Sequence, residues 1–194
     1  MHKKYHKSDI IAMGQELIRT QGYHNTGIND ILTACRIPKG SFYNFFASKE
    51  DFGRQVLEAY GNQQWNYLDD ILGDTADSPL TRLQKYYRMT IEGNQRESFK
   101  NGCMLNNLSL EIGGLNEVLA QEADVQFNLW IQRISQCIQE GQDVGEIRKD
   151  YTAYELAEYL HMSFNGGLGR SKIQRHAMGT ERVFDMTFKF LQGM

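Results

Sequence analysis

"TGINDILTACRIPKGSFYNFF", residues 26–46, holds two short helical patterns separated by a break too tight for anything but a turn. Ile28, Ile31, Leu32 and Cys35 recur at i, i+3, i+4 and i+7, one apolar face, with Thr26 standing where an N-cap should. Arg36 and Ile37 leave room only for a turn. Pro38 suits the first position of the next helix, where its missing N–H costs nothing. That helix ends near Ala47, and Ser48 with Asp51 three residues on resembles a capping box opening a fourth, long helix to about Leu72.

Upstream, Ile10, Ile11, Gly14, Leu17 and Ile18 form a stripe that closes at Gly22. One longer helix followed by two short ones joined by a tight turn is a helix-turn-helix. Its second helix lies in the major groove of DNA with its N-terminal residues at the base edges. Phe42, Phe45 and Phe46 are then the inner side of helix three, and Lys39, Gly40, Ser41, Tyr43 and Asn44 the outer side. Alone, those five residues read equally as an ordinary polar helix face.

The rest of the chain bounds the answer. With 194 residues it is long enough for one or two domains with a sizeable core, and only Pro38 and Pro79 interrupt it, so an all-α fold leads. No apolar run approaches the roughly 20 residues that span a bilayer, so no membrane partner is expected. The start, MHKKYHKSDI, lacks the apolar stretch of a secretory signal. Cys35, Cys103 and Cys137 are widely spaced with no C-x-x-C pair, which suggests neither a disulfide framework nor a zinc site and fits a reducing, cytoplasmic setting. The net charge is −3, but residues 1–54 carry eight Lys/Arg against five Asp/Glu while the remainder is acidic. A basic head on an acidic body can meet a phosphate backbone locally. His2, Lys3, Lys4, His6 and Lys7 read either as a solvated terminus or as an arm along the DNA.

Beyond the polar break "GDTADSPL", the pattern predicts helices at about 79–97, 103–113, 115–141, 152–177 and 180–192. Leu156, Leu160 and Phe164 make one stripe and Val183, Phe184, Phe188 and Leu191 another, the pattern of a four-helix dimer interface. "FNGGLGRSK", 164–172, contains G-G-x-G after a helix rather than a strand, so it is read as close helix packing and not as a nucleotide loop.

Residues 22–52, "GYHNTGINDILTACRIPKGSFYNFFASKEDF", resemble the N-terminal domain of TetR/AcrR-family transcriptional repressors. The shared pattern is G-[YF] closing helix one, Thr at the cap of helix two, K-G-[ST]-[FL]-Y-x-x-F on helix three and S-K-E opening helix four. The resemblance implies an all-α homodimer: an N-terminal three-helix helix-turn-helix domain plus a larger helical C-terminal domain for ligand binding and dimerisation. It sets domains at 1–52, with helix four linking at about 48–72, and 53–194. Carried over by position, Thr26, Tyr43 and Lys49 would hold phosphates while Lys39, Gly40, Ser41 and Asn44 face the groove of double-stranded operator DNA. Many members have His where Asn44 stands; an Asn can bind adenine in a bidentate way. Pro38 replaces a commoner Ser or Thr.

"NGCMLNNLSLEIGG", 101–114, resembles a branch of that family that includes the repressor of N-ethylmaleimide reductase. Cys103 should lie in the first turn of a helix, where unpaired N–H groups favour thiolate; a close helix contact is the structural alternative. Phe99, Phe127, Trp130 and His161 are core residues or the lining of a pocket for a small apolar or electrophilic effector. No catalytic constellation, cofactor or metal set is recognised, so a ligand- or redox-responsive repressor leads over an enzyme or a module for protein contacts only.

Overall fold

The structure, a computed structural model, describes residues 5–194. Among them it forms nine α-helices and no strand: α1 (Lys7–Gln21), α2 (Ile28–Cys35), α3 (Lys39–Tyr43), α4 (Lys49–Leu72), α5 (Pro79–Arg96), α6 (Met104–Ile112), α7 (Glu117–Asp143), α8 (Ala153–Gln174) and α9 (Met178–Leu191). Two compact units result, one of Met1–Gln63 with Met104–Gln126, the other of Gln64–Cys103 with Phe127–Met194. The chain passes between them inside α4 and α7 and at the Cys103–Met104 bond. The first unit therefore includes α6, a segment that the sequence reading assigns to the C-terminal domain.

The helix-turn-helix of the first unit closes around three phenylalanines. Phe42, Phe46 and Phe52 are buried, with ring centroids 5.0 Å apart for Phe42–Phe46 and Phe46–Phe52 and 5.6 Å for Phe42–Phe52. A Cβ on Gly14 would sit 2.3 Å from the Phe52 ring, which is why α1 carries a glycine in its interior despite its cost to helix stability. Gly22 ends α1 at φ 84, a conformation glycine adopts freely, and its N–H donates to the Ile18 carbonyl at 2.9 Å.

Two local expectations shift by a residue. Gly27, not Thr26, occupies the cap of α2, and its N–H donates to the Asp30 carboxylate at 2.7 Å. Pro38 is the cap of α3 rather than its first residue, and α3 stops at Tyr43 instead of near Ala47. Phe45 and Phe46 continue as a turn, both donating N–H to the Phe42 carbonyl, at 2.9 and 3.0 Å. The α4 cap forms as expected on one side, with the Asp51 N–H donating to Ser48 Oγ at 3.0 Å; the Asp51 carboxylate reaches back to the Ala47 N–H.

In the second unit, Tyr87 of α5 packs edge-on against Phe164 of α8 and Phe188 of α9, at 4.5 and 6.1 Å between centroids. A Cβ on Gly167 would lie 3.2 Å from the Thr180 Cα, so the glycine lets α8 and α9 approach, as the "FNGGLGRSK" reading anticipates. Beside it the buried hydroxyls of Ser171 and Thr180 pair at 2.6 Å. Thr152 and Glu155 form a reciprocal capping box at the start of α8. The buried Arg82 guanidinium donates Nη1 to the Leu72 carbonyl at the end of α4 and Nη2 to Glu140 of α7, while its Nε has no partner among the described residues.

Candidate nucleic-acid interface

Helix α3 presents two chemically distinct sides. Phe42 is fully buried, whereas Lys39, Gly40, Tyr43 and Asn44 are exposed and Ser41 is half-buried. No acceptor among the described residues holds the Lys39 ammonium, and a Cβ on Gly40 would meet nothing within 4 Å. Tyr43 is 46% exposed although its ring edge touches Phe42, so the hydroxyl faces out while the ring is held. An exposed glycine flanked by Lys, Ser, Tyr and Asn is a surface that another backbone can approach closely, with donors around it.

Thr26 and Lys49 are placed differently. Thr26 is 1% exposed; its hydroxyl donates to the Gly22 carbonyl at 2.6 Å and accepts from Gln21 Nε2 at 3.2 Å. The threonine thus ties the end of α1 to the start of α2. Lys49 lies with its ammonium 4.4 Å from the Tyr23 ring centroid and 3.5 Å from the His24 carbonyl. Burial pulls its pKa down, against Glu111 and Asp30, whose charges raise it. Of the expected basic arm, His2, Lys3 and Lys4 lie outside the described residues; His6 caps α1 and the Lys7 ammonium sits 5.7 Å from the Phe46 ring centroid.

Glu111, near the end of α6, is a residue that sequence reading alone overlooks. Its carboxylate accepts the N–H groups of Tyr23 and His24 at 3.1 and 2.7 Å, and so holds the loop that precedes α2. Asn116 adds a bond from its Nδ2 to Glu50 at 2.8 Å. In sequence it is a lone acidic residue near the end of a helix that mixes apolar residues with Asn106, Asn107 and Ser109.

The expected effector residues divide into two groups within the second unit. Phe127, Trp130 and His161 come together, the imidazole edge-on to both rings at 5.7 and 5.9 Å. His161 pairs one ring nitrogen with Asn165 Nδ2 at 3.0 Å, while Nδ1 is buried without a partner among the described residues. Desolvation lowers its pKa to about 4, so the ring is neutral at ordinary pH. The Tyr87 hydroxyl is another buried polar atom without a partner among the described residues. Phe99 and Cys103 make other contacts. Phe99 is buried at φ 53 and its carbonyl accepts from Arg175 Nη1 at 3.3 Å. Cys103 is half-buried and immediately precedes α6 instead of lying within its first turn; a thiolate there would raise the pKa of Tyr86, which burial already pushes well up. Cys137 is buried, with its pKa pushed up to about 11 by desolvation. Cys35, expected in the core, is only half-buried, because it stands at the last position of α2, although burial still raises its pKa.

The expected dimer residues are spent inside one protomer. Leu156, Leu160, Phe164, Phe184 and Phe188 are all buried, with Phe164 and Phe188 against Tyr87 of α5 and Phe184 against Phe188; Arg88 of α5 stacks on the Phe184 ring at 4.2 Å and bonds Glu181 at 2.5 Å. What α8 and α9 turn outward is a different stripe: Met162 and Ile173 on α8, 61% and 75% exposed, and Met178 and Met186 on α9. No group of side chains that would hold a metal ion occurs among the described residues, and no helix there is long and apolar enough to cross a membrane.

A three-helix head with an outward polar recognition helix, followed by a helical body, defines a helix-turn-helix regulator of transcription. Residues 10–56 match the family model of bacterial regulatory proteins of the tetR family, and residues 79–187 match that of the tetracyclin repressor-like C-terminal domain. The chain is 33% identical to the transcriptional repressor DhaR of Mycobacterium sp. strain GP1 over 95% of its own length and 91% of that protein. It superposes on a TetR regulatory protein from Rhodobacter sphaeroides with a TM-score of 0.88 at 32% identity, covering 94% of this chain and 96% of the other. The reduced form of Escherichia coli NemR gives 0.86 at 25% identity, with 95% of each chain covered. The chain belongs to the TetR family of transcriptional repressors.

Proposed function

We propose that this repressor binds a pseudo-palindromic operator as a cytoplasmic homodimer and leaves it when a small apolar or electrophilic effector, or an oxidant, acts on the body. The observation that carries the operator reading is α3: a buried Phe42 behind exposed Lys39, Gly40, Tyr43 and Asn44. In this reading Lys39 and Tyr43 hold phosphates or the groove edge, and Asn44 reads a base. Thr26 and Lys49 contribute by fixing the first turn of the head instead of through their own side-chain tips. Two subunits set two recognition helices about 34 Å or more apart along the duplex.

The effector arm of the proposal draws on three side chains. The unpartnered Tyr87 hydroxyl and His161 Nδ1 are buried polar atoms that a bound ligand would satisfy. Cys103 is less buried than Cys137, and the match to a structure described as the reduced form of NemR favours a thiol that changes state. Cys103 is followed directly by α6, which carries Glu111, so a modified thiol acts at the start of the helix whose end holds the Tyr23–His24 loop.

Selection of binding sites from random duplex DNA, followed by titration across a salt series, tests the operator reading. Binding should be steeply salt-dependent. Lys39→Ala and Tyr43→Phe should weaken it with little effect on stability, since both groups face solvent; variants that bind as wild type does would remove those residues from the interface.

A further inference from the structure

We propose that Arg36 is a phosphate-binding residue of the helix-turn-helix, an inference that rests on the operator reading above. Arg36 ends α2 at φ 54 and ψ 45, in the left-handed region where only glycine, and to a lesser degree asparagine, sits without strain. The turn imposes that conformation whatever residue stands there. The Ile37 N–H donates to the Leu32 carbonyl at 3.0 Å, the Arg36 N–H to the Thr33 carbonyl at 3.2 Å, and Ile37 itself is buried. A glycine would meet the geometry; the chain instead carries its largest cation.

Nothing within the subunit uses that cation. Arg54, Arg82, Arg88, Arg133 and Arg148 each hold a carboxylate, whereas the exposed Arg36 has no acceptor or ring partner among the described residues. A strained, exposed and unpaired cation is placed for something outside the subunit. Its position says what. Arg36 caps α2 and stands three residues before Lys39, ahead of the N-terminal end of α3, the end that enters the groove in the operator reading. Its neighbour Ile37 is buried, so Arg36 flanks the reading face instead of lying on it. What borders a groove is the phosphate backbone, and a planar guanidinium fork suits phosphate oxygens.

The test uses full-length protein and an operator recovered from random DNA, with affinity read by fluorescence anisotropy over a range of salt. Arg36→Gly and Arg36→Asn both suit the left-handed turn, so each should melt at or above the wild-type temperature. Both should bind about tenfold more weakly, as loss of a charge-assisted contact predicts. The plot of log K against log salt should become shallower by about 0.9 per subunit, with the ranking of operator variants unchanged. Wild-type affinity and slope in both variants would overturn the assignment, as would a loss confined to one base pair, which marks a base reader. If wild type itself shows no salt-dependent binding to any selected duplex, the operator reading fails first, a result distinct from variants that bind as well as an active wild type.

Discussion

The carboxylate of Glu111 accepts the backbone N–H of His24 at 2.7 Å, and with the Tyr23 N–H it closes a clamp across 87 residues of sequence. The loop it holds contains Gly22, where a Cβ would meet Glu111 at 2.8 Å, so clamp and glycine fit each other. Glu111→Ala removes the acceptor of two backbone donors, each partly open to water. Stability should fall by roughly 1–3 kcal/mol. Denaturant unfolding followed by circular dichroism checks this, and a change below about 0.5 kcal/mol, the range of ordinary surface substitutions, would show that water replaces the carboxylate at no cost.

If the proposed homodimer pairs through the outward stripe of α8 and α9, dimerisation and folding rest on different residues. Ile173→Glu combined with Met186→Glu should leave the melting transition at low concentration nearly unchanged and give monomers in sedimentation equilibrium. Phe188→Glu should instead unfold the subunit, because the side chain is 3% exposed and packs on Tyr87 and Phe184. A folded monomer from the Phe188 variant, or an intact dimer from the double variant, would reverse the assignment of the two faces.

His161 makes stability depend on acid. Its pKa is lowered from 6.5 to about 4 by burial, so the unfolded chain binds the proton more readily than the folded one. The contribution is fully present above about pH 6.5 and is lost as pH falls from there toward 4, a swing on the order of 3 kcal/mol. Denaturation midpoints measured between pH 7.5 and 4.5 should fall, and His161→Gln should flatten the part of that fall that lies below about pH 6.5. Unchanged slopes in the variant would place the acid sensitivity in other groups.

Thiol reactivity should rank the three cysteines. Burial holds the Cys137 pKa near 11, so its thiolate fraction at pH 7.5 is on the order of a few parts in ten thousand, and Cys35 is raised as well. N-ethylmaleimide pulse labelling read by mass spectrometry should modify Cys103 first. Operator release by N-ethylmaleimide or hypochlorite should disappear in Cys103→Ser; a variant that responds as wild type does would leave a reversible ligand as the trigger.

Legibility in sequence followed the strength of local signals. The starts expected at about 79 and 152 are met by α5 at Pro79 and α8 at Ala153, where Ser78 and the Thr152–Glu155 box supply the caps. Of the three phenylalanines expected on the inner side of α3, Phe42 and Phe46 are buried, while Phe45 is half-buried and stands beyond the end of the helix. Periodicity, however, reports that a face is covered and not what covers it. The Leu156, Leu160, Phe164 stripe has the same pattern whether a partner or the subunit itself covers it; here all three are buried within the subunit, Phe164 against Tyr87 of α5. Thr26 shows the matching limit for caps: Thr and Gly both suit the position, and the choice of Gly27 is made by the Asp30 carboxylate and by the hydroxyl bond from Thr26 to Gly22. The Glu111 clamp joins segments 87 residues apart, beyond the reach of any local pattern.

The close crossing at Gly167, sealed by the Ser171–Thr180 hydroxyl pair, bears on how repressor subunits would trade partners. Each subunit completes its α8–α9 hairpin internally, so pairing two of them is docking of finished surfaces with no helix left to fold. Rigid docking of this kind proceeds at roughly 10⁵–10⁷ M⁻¹s⁻¹. At micromolar protein a separated subunit would then find a new mate within about ten seconds or less. If the proposed homodimer pairs through Met162, Ile173, Met178 and Met186, mixing two differently labelled populations should scramble them at the rate of dissociation alone, a rate that these four exposed residues would set.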